Sequence, residues 1–302
     1  MPYARLLGLL LGIPLFVACG DSGGGSGGGS GGGSGGGSGG GVGDASTPDA
    51  AGPTRWEPTG AAAWYAADFA DSIFSDVDGT TVAQGGDSVR RWKDLMQNAD
   101  ADGRMDGSGI TKTSLSGKPS LLFDGGALAC LNVDIARNVP AISIVAIYRP
   151  TSSTNSADLW AASTSTSNNV RATLFRSIGG DTSKGTGGRR LDADGFAGAN
   201  DAAPLADGET HVSIGVLNYA AGSIALYVDG SSEPVGTGSF NSPGNTSDTD
   251  SHNVWIGTKH ELASQIFRGH LHELVIYQRA LSAEEIAAIM AHARDYWGVT
   301  LA

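Results

Sequence analysis

The 302-residue chain is short of basic residues, of cysteine and of glutamate. It carries 19 Lys and Arg against 31 Asp and Glu, so its net charge is −12 and it lacks the basic surplus of a nucleic-acid-binding surface. Only 7 of the 31 acids are Glu, a common residue of helix surfaces, whereas Asp is typical of turns. We therefore expect no nucleic-acid partner and a fold that is not mainly helical.

The chain also lacks an apolar run long enough to cross a bilayer. Leu6 to Ala18 is apolar, but these 13 residues fall short of the roughly 20 that a spanning helix needs. The run follows Arg5 and ends on Ala18-Cys19, which resembles the signal peptide and lipobox of bacterial lipoproteins. The resemblance implies acylation of Cys19 and attachment through this lipid to the bacterial cell envelope, at the outer membrane or cell surface.

Composition divides the chain into three parts. Residues 1–19 are the predicted lipoprotein signal with its lipobox cysteine. Residues 20–43 repeat GGGS and hold 17 of the 47 glycines, and prolines follow among small polar residues, which predicts a flexible linker over 20–55. Residues 56–302 form the predicted folded domain. With Cys19 acylated, Cys130 is the remaining thiol, and its apolar neighbours Leu128 and Leu131 indicate a buried, unreactive cysteine.

Short apolar runs separated by turn residues predict a β-sandwich or barrel of antiparallel strands. The most regular runs are 141–148, 211–217, 223–228, 253–256 and 270–277. One helix is predicted near the C-terminus, where Ser282 and Glu285 have the spacing of a capping box and Gly298 ends the apolar periodicity.

Several motifs resemble laminin-G-like domains of the concanavalin A-like lectin/glucanase superfamily. The motifs are Trp92-Lys93-Asp94, Leu122-Phe123-Asp124-Gly125, Leu226-Tyr227-Val228-Asp229-Gly230, Ile256-Gly257, and the run from Phe267 to Ser282 that ends in Arg279-Ala280-Leu281-Ser282. The resemblance spans about residues 60–300 and implies an all-β jelly-roll sandwich of two antiparallel sheets with a short C-terminal helix.

This superfamily includes both binding modules and enzymes, so the fold leaves the function open. Retaining hydrolases of this fold carry Glu-x-Asp-x-x-Glu on a strand, which supplies two carboxylates about 5–5.5 Å apart, and the chain has no such motif. We name no catalytic residue and predict a surface-anchored module that binds a glycan or protein without catalysis. The alternatives are a polysaccharide-degrading hydrolase or lyase with an atypical active site, and a structural module for surface assembly.

Two sets of residues are candidates for binding. Asn98, Asp100 and Asp102 copy the first half of an EF-hand loop, which favours calcium as a cofactor, although Gly109 stands where the loop needs a bidentate Glu. A solvated acidic turn is the alternative interpretation. A sugar site needs exposed aromatic rings with amide partners, and the candidates for it are Trp160, Asn168, Asn169, Phe240 and Trp255. The alternative for the three rings is a place in the core.

Overall fold

The computed structural model describes residues 56–97, 101–105, 109–151, 157–163, 169–176, 183–247, 252–260 and 266–301. The predicted signal (1–19) and linker (20–55) lie outside these residues. The strands are, in chain order, β1 (Ala63–Ala66), β2 (Ile73–Phe74), β3 (Arg91–Trp92), β4 (Ala101–Met105), β5 (Ile110–Leu115), β6 (Lys118–Asp124), β7 (Ala127–Val133), β8 (Ala141–Pro150), β9 (Ala157–Ser163), β10 (Val170–Arg176), β11 (Lys184–Gly188), β12 (Ala197–Asp201), β13 (His211–Asn218), β14 (Ser223–Val228), β15 (Gly236–Ser239), β16 (His252–Ile256) and β17 (Arg268–Tyr277).

These strands form two antiparallel sheets, as the sequence predicts. The first, sheet A, has eight strands in the order β15-β14-β13-β8-β17-β6-β5, with β1 paired to β17. The second, sheet B, has nine strands in the order β12-β11-β10-β9-β16-β7-β4-β3-β2. All five of the strands predicted from apolar runs are present: the run 223–228 has the predicted bounds, and the others extend by one or two residues at one end.

The main core lies between the two sheets, and alternate residues of each strand supply it. On β8 the inward residues are Ile142, Ile144, Ala146 and Tyr148, all of which are fully buried or nearly so. The residues between them face the other side of sheet A, where Val145 and Ile147 join a second apolar cluster. Strand β8 is therefore buried on both faces of sheet A, which explains why it is apolar without alternation.

The C-terminal helix covers the outer face of sheet A. Helix α1 (Ala283–His292) begins with the predicted capping box: Glu285 N–H donates to the Ser282 hydroxyl, and Ser282 N–H donates to the Glu285 carboxylate. A π-helical turn (Ala293–Trp297) continues it, and a 3₁₀ turn (Ala70–Ser72) lies between β1 and β2. Gly298 ends the helical segment with φ +78°, a left-handed conformation that favours glycine.

A β-bulge in β17 changes which residues face outward. The register with β8 shifts between Leu271 and Glu273, and both Leu271 and Leu274 belong to the core between the sheets. His272 and Glu273 therefore both face the outer side of sheet A, where simple alternation would send them to opposite sides. The bulge also divides the partners of β17: Arg268–Leu271 pairs with β6, and the residues after the bulge pair with β1.

Cys130 is fully buried, as its sequence context predicts. No helix within the described ranges is long and apolar enough to cross a membrane.

Candidate functional site

The three aromatic residues that the sequence offers as sugar platforms are buried. Trp160 is 0% exposed and belongs to the core between the sheets, Trp255 is 1% exposed, and Phe240 is 6% exposed against the ring of Tyr219. A sugar ring needs an open aromatic face to stack on. These three rings are therefore not sugar platforms, and the alternative interpretation, that they belong to the core, is correct. Asn169 lies half-buried before β10, and Asn168 lies outside the described residues.

The predicted calcium ligands fall largely outside the described residues. Asn98 and Asp100 are among the residues not described, and only the backbone of Asp102 is described. Asp102 lies on β4, where it pairs with Arg91 of β3 and Ala129 of β7. Within the described residues, no group of three or more His, Cys, Asp or Glu side chains could hold a metal ion. Calcium binding stays a prediction.

The outer face of sheet B carries a floor of glycines at its β11–β12 end. Thr186, in the middle of β11, faces sheet A, because a Cβ placed on Gly215 of β13 would overlap its side chain. Gly185 and Gly187 therefore face outward. Gly198 of β12 pairs with Gly187 in the register, so the two glycines lie side by side on the outer face.

The ring of Phe196 lies over this floor. A Cβ on Gly187 would be 2.7 Å from the Phe196 ring, and a Cβ on Gly198 would be 3.3 Å from it. The side chain fits because both positions are glycine. Phe196 is 44% exposed, and every other Phe, Tyr and Trp whose burial the structure describes is buried or half-buried. We call Phe196, Gly187 and Gly198 the aromatic platform.

Polar groups lie next to the aromatic platform. The exposed side chain of Asn200 projects from the same face of β12, and its amide oxygen is 3.8 Å from the position of a Gly198 Cβ. The ring of Phe175 occupies the space above Gly185 but is only 5% exposed. The platform thus combines one open aromatic ring with an accessible amide, the pair of groups that contacts the apolar face and the hydroxyls of a sugar.

Two ion pairs of β10 join buried cations to open carboxylates. Arg171 of β10 pairs with Asp192, whose side chain is 42% exposed, and Arg176 pairs with Asp207, whose side chain is 38% exposed. Both guanidinium groups are nearly completely buried. In both pairs the carboxylate is open to solvent while its cation is buried.

A third pair joins the first residue of β11 to the last residue of β12. Lys184 Nζ lies 2.7 Å from Asp201 Oδ2 and also donates to the carbonyl oxygen of Ala203. Partial burial opposes the ionisation of Asp201, but hydrogen bonds from Lys184 and from the Ala203 N–H outweigh it and lower the pKa of the carboxyl. The pair therefore stays ionised at neutral pH and fixes the two strands that carry the platform.

One buried carboxyl group of sheet B has a raised pKa, in contrast to Asp201. Burial raises the pKa of Asp158 on β9 to about 6, against the opposing effects of Thr173 and Lys259. Asp158 Oδ1 lies 2.6 Å from Thr173 Oγ1, which lies 2.9 Å from the Trp160 carbonyl oxygen. A protonated Asp158 satisfies all three groups, because it donates to Thr173, whose hydroxyl then donates to the carbonyl.

The geometry defines a sandwich of two antiparallel β-sheets, and sequence comparison gives its family. A laminin G family profile, described as the Concanavalin A-like lectin/glucanases superfamily, matches residues 124–287. The match covers more than half of the chain, so the protein belongs to this family. No curated protein sequence matches the chain.

Solved structures with the same fold include carbohydrate-active proteins. Domain 4 of AbnA, a GH43 extracellular arabinanase from Geobacillus stearothermophilus in complex with arabinotriose, is 15% identical with a TM-score of 0.53, over 76% of this chain and 97% of that domain. The Trypanosoma rangeli sialidase in complex with sialic acid is 14% identical with a TM-score of 0.53, over 80% of this chain and 34% of the sialidase. The CBM40 of Ruminococcus gnavus IT-sialidase bound to alpha2,3 sialyllactose is 18% identical with a TM-score of 0.43, over 51% of this chain and 83% of the module.

Sequence reasoning missed the platform, although a signal for it exists. Gly185 and Gly187 recur with the period of two that places residues on one face of a strand, and Gly198 follows Phe196 with the same period. Glycines aligned on one face indicate that something approaches the backbone closely there. An aromatic residue in the same pattern is therefore a candidate to fill that space.

Proposed function

We propose that this protein is a non-catalytic glycan-binding module whose sugar site is the aromatic platform. The observation that carries the proposal is the 44% exposure of Phe196 on a floor of glycines. An exposed aromatic ring costs free energy in water, and its C–H···π and apolar contact with the face of a sugar ring offsets that cost. The exposed amide of Asn200 beside the ring supplies a partner for sugar hydroxyls.

The structural neighbours support a glycan as the ligand. The arabinanase domain was solved with arabinotriose and the sialidase with sialic acid, and both share the fold with this chain at a TM-score of 0.53. The described part of the chain offers an open surface at the platform, which suits a polysaccharide chain that passes across it.

The first test compares Phe196→Ala with Phe196→Trp in the purified protein, with arabinotriose, sialyllactose and a glycan array as probes. Loss of the ring should weaken binding about 10- to 100-fold, the equivalent of the roughly 1.5–3 kcal/mol that burial of such a side chain contributes. Phe196→Trp should retain binding, because it keeps an aromatic face.

Val77→Ala is the matched control, because Val77 is also 44% exposed. It should leave binding unchanged. If Phe196→Ala binds the same glycans as tightly as the parent protein, the platform is not the sugar site. Repeating the array with calcium and with a chelator tests the calcium prediction for the loop around Asp100 in the same experiment.

The alternative of a polysaccharide-degrading enzyme has one observation in its favour. Asp158 is a carboxyl group with a pKa near 6, the property of a general acid at neutral pH. It is only 6% exposed and its hydrogen bonds are taken by Thr173, so substrate has no access to it in this conformation. Release of reducing ends or unsaturated products from a polysaccharide panel, abolished in Asp158→Asn, would favour the enzyme over the binding module.

We further propose that the module acts at the bacterial cell surface, held there by a lipid on Cys19. The proposal rests on the apolar run and lipobox of residues 6–19. Cells fed labelled fatty acid should incorporate the label into the parent protein and not into Cys19→Ser. Labelling of the mutant would disprove the anchor without affecting the assignment of the sugar site.

A further inference from the structure

A second groove lies on the opposite side of the sandwich, on the outer face of sheet A beside the C-terminal helical segment. Its volume is about 530 Å³, within the usual range for small-molecule sites. Charged and aromatic side chains dominate its lining, among them Lys118, Arg149, Glu209, His272, Asp295 and Tyr296. We call it the sheet A groove.

Two cations of the sheet A groove have no ionic partner. Among the residues that the structure describes, Arg149 makes no hydrogen bond or ion pair through its side chain, and Lys118 makes none either. The described arginines Arg171, Arg268 and Arg279, by contrast, each pair with a carboxylate. Unpaired cations at the wall of a cavity are available to an anionic ligand.

Lys118 is held in place by an aromatic residue. Its Nζ lies 4.1 Å from the centroid of the Tyr296 ring, a cation–π contact. Tyr296 is itself fixed, because its hydroxyl donates to Asp68 at 2.5 Å and its ring stacks on His292 with centroids 5.4 Å apart. The ammonium group is therefore oriented before any ligand arrives, which lowers the entropy that binding must overcome.

The histidines near these cations add no charge at neutral pH. Burial, together with the nearby His270 and Arg149, lowers the pKa of His272 to about 4. Burial and Arg149 also lower the pKa of His270, the residue paired with Arg149 across the β8–β17 register. The positive charge of the groove at pH 7 thus belongs to Arg149 and Lys118.

The two carboxylates of the lining differ from each other. Asp295 is occupied by Arg294, whose Nε and Nη2 lie 2.6 and 2.9 Å from its two oxygens. Glu209 makes no side-chain hydrogen bond to any residue in the described ranges. The groove therefore presents two free cations together with one free hydrogen-bond acceptor of negative charge.

We propose that the sheet A groove binds an acidic sugar, a ring that carries both a carboxylate and hydroxyl groups. The guanidinium of Arg149 offers the paired donors that match a carboxylate, and Lys118 adds a second charge. Glu209 accepts hydrogen bonds from ring hydroxyls. A neutral sugar would leave both cations without a counter-charge, whereas a simple inorganic anion would be repelled by Glu209 and would leave it without a donor.

The test is calorimetric titration of the full chain with D-glucuronate, with glucose and inorganic phosphate as comparison ligands. Glucuronate should bind saturably, and glucose and phosphate should bind at least about tenfold more weakly. Arg149→Met and Lys118→Met remove the charges but retain the aliphatic stems, and each should weaken glucuronate binding about 10- to 100-fold, as expected for loss of a charge-assisted hydrogen bond.

Arg137→Met is the matched control, because Arg137 is a partly exposed arginine that pairs with Asp134 and does not line the groove. It should bind glucuronate like the parent, and unfolding temperatures of all variants should agree within a few degrees. Absence of saturable glucuronate binding, equal binding of phosphate, or unchanged affinity in both Arg149→Met and Lys118→Met would each overturn the proposal.

Phe196→Ala separates this proposal from the aromatic platform on sheet B. The variant should bind glucuronate with unchanged affinity, because Phe196 and the groove lie on different sheets. Loss of glucuronate binding in Phe196→Ala, with retention in Arg149→Met, would assign the acidic sugar to the platform and overturn the groove. Failure of the platform experiment leaves the groove prediction intact.

Discussion

Replacement of Glu273 is the perturbation that most directly tests how the C-terminal segment is docked on sheet A. Glu273 is 1% exposed and lies on the outer face of sheet A because of the bulge in β17. Its carboxylate accepts three hydrogen bonds: from Trp64 Nε1 at 2.7 Å, from Trp297 Nε1 at 2.6 Å and from His292 Nε2 at 2.8 Å. Two of these donors come from the helical segment and one comes from β1.

The expected cost of Glu273→Ala follows from what the substitution leaves behind. Three buried N–H donors lose their acceptor, and each buried donor without a partner costs about 1–3 kcal/mol. Relaxation and water entry reduce the sum, so we expect a total loss of about 3–5 kcal/mol in the free energy of unfolding, as for breaking a buried ion pair. Glu273→Gln should lose less of the free energy of unfolding. Its amide oxygen still accepts hydrogen bonds, whereas its NH₂ group faces an N–H donor and cannot accept one from it.

Denaturant unfolding followed by tryptophan fluorescence measures this loss, since Trp64 and Trp297 report on the site directly. Glu233→Ala is the control: Glu233 is an exposed carboxylate, so its removal should change stability by no more than about 0.5 kcal/mol. If Glu273→Ala costs less than about 1 kcal/mol, the carboxylate does not hold the helical segment, and the wall of the sheet A groove formed by Tyr296 and Trp297 must be fixed in another way.

Three further substitutions test separate parts of the fold. Leu281→Ala should cost about 2–5 kcal/mol in denaturant unfolding, because Leu281 is 8% exposed in the cluster beneath α1; a loss under about 1 kcal/mol would contradict this docking. Asp158→Asn should stabilise the protein at pH 7 by up to about 3 kcal/mol. The pKa of this carboxyl is 3.8 in the unfolded chain and about 6 in the folded protein, so ionisation of Asp158 does not destabilise the parent protein below pH 3.8, and the parent loses stability as the pH rises through 6. If the free energy of unfolding changes equally in the two proteins between pH 4 and pH 8, this prediction is wrong. Gly298→Ala should lower the free energy of unfolding by about 1 kcal/mol, measured by thermal unfolding. The cost comes from the φ of +78° alone, because a Cβ there would meet no atom within 4 Å.

The sequence predicts the fold well where local signals agree with the packing. The runs at 141–148 and 270–277 become the two longest strands, and 141–148 is apolar without alternation because β8 is buried on both faces. The capping box of Ser282 and Glu285 is likewise confirmed, since its hydrogen bonds need only neighbouring residues. Such features are set by sequence that lies within a few residues.

The candidate sites could not be predicted in the same way. The platform depends on the pairing of β11 with β12, which aligns Gly187 with Gly198, and neither strand has the β-branched or aromatic pattern that identifies a strand. The groove depends on Arg149, Lys118 and Glu209, which come from three distant parts of the chain. Trp160 and Trp255 show the converse difficulty, because a tryptophan beside a predicted loop carries no local sign of whether it will be buried.

The arrangement of the two sheets gives the proposed sites a consequence for binding. Helix α1 and the turn after it cover much of the outer face of sheet A and leave the groove at one end, whereas the platform lies on the outer face of sheet B. Because the main core separates the two outer faces, a ligand in the groove does not obstruct a glycan on the platform. If both proposed sites bind as inferred, one module would hold two glycan chains at once, or one branched chain at two points, and the second contact would raise the apparent affinity for a polysaccharide above that of either site alone. A saturating amount of glucuronate should then weaken attachment to a polysaccharide that carries acidic sugars, and should leave the affinity for a short neutral oligosaccharide unchanged.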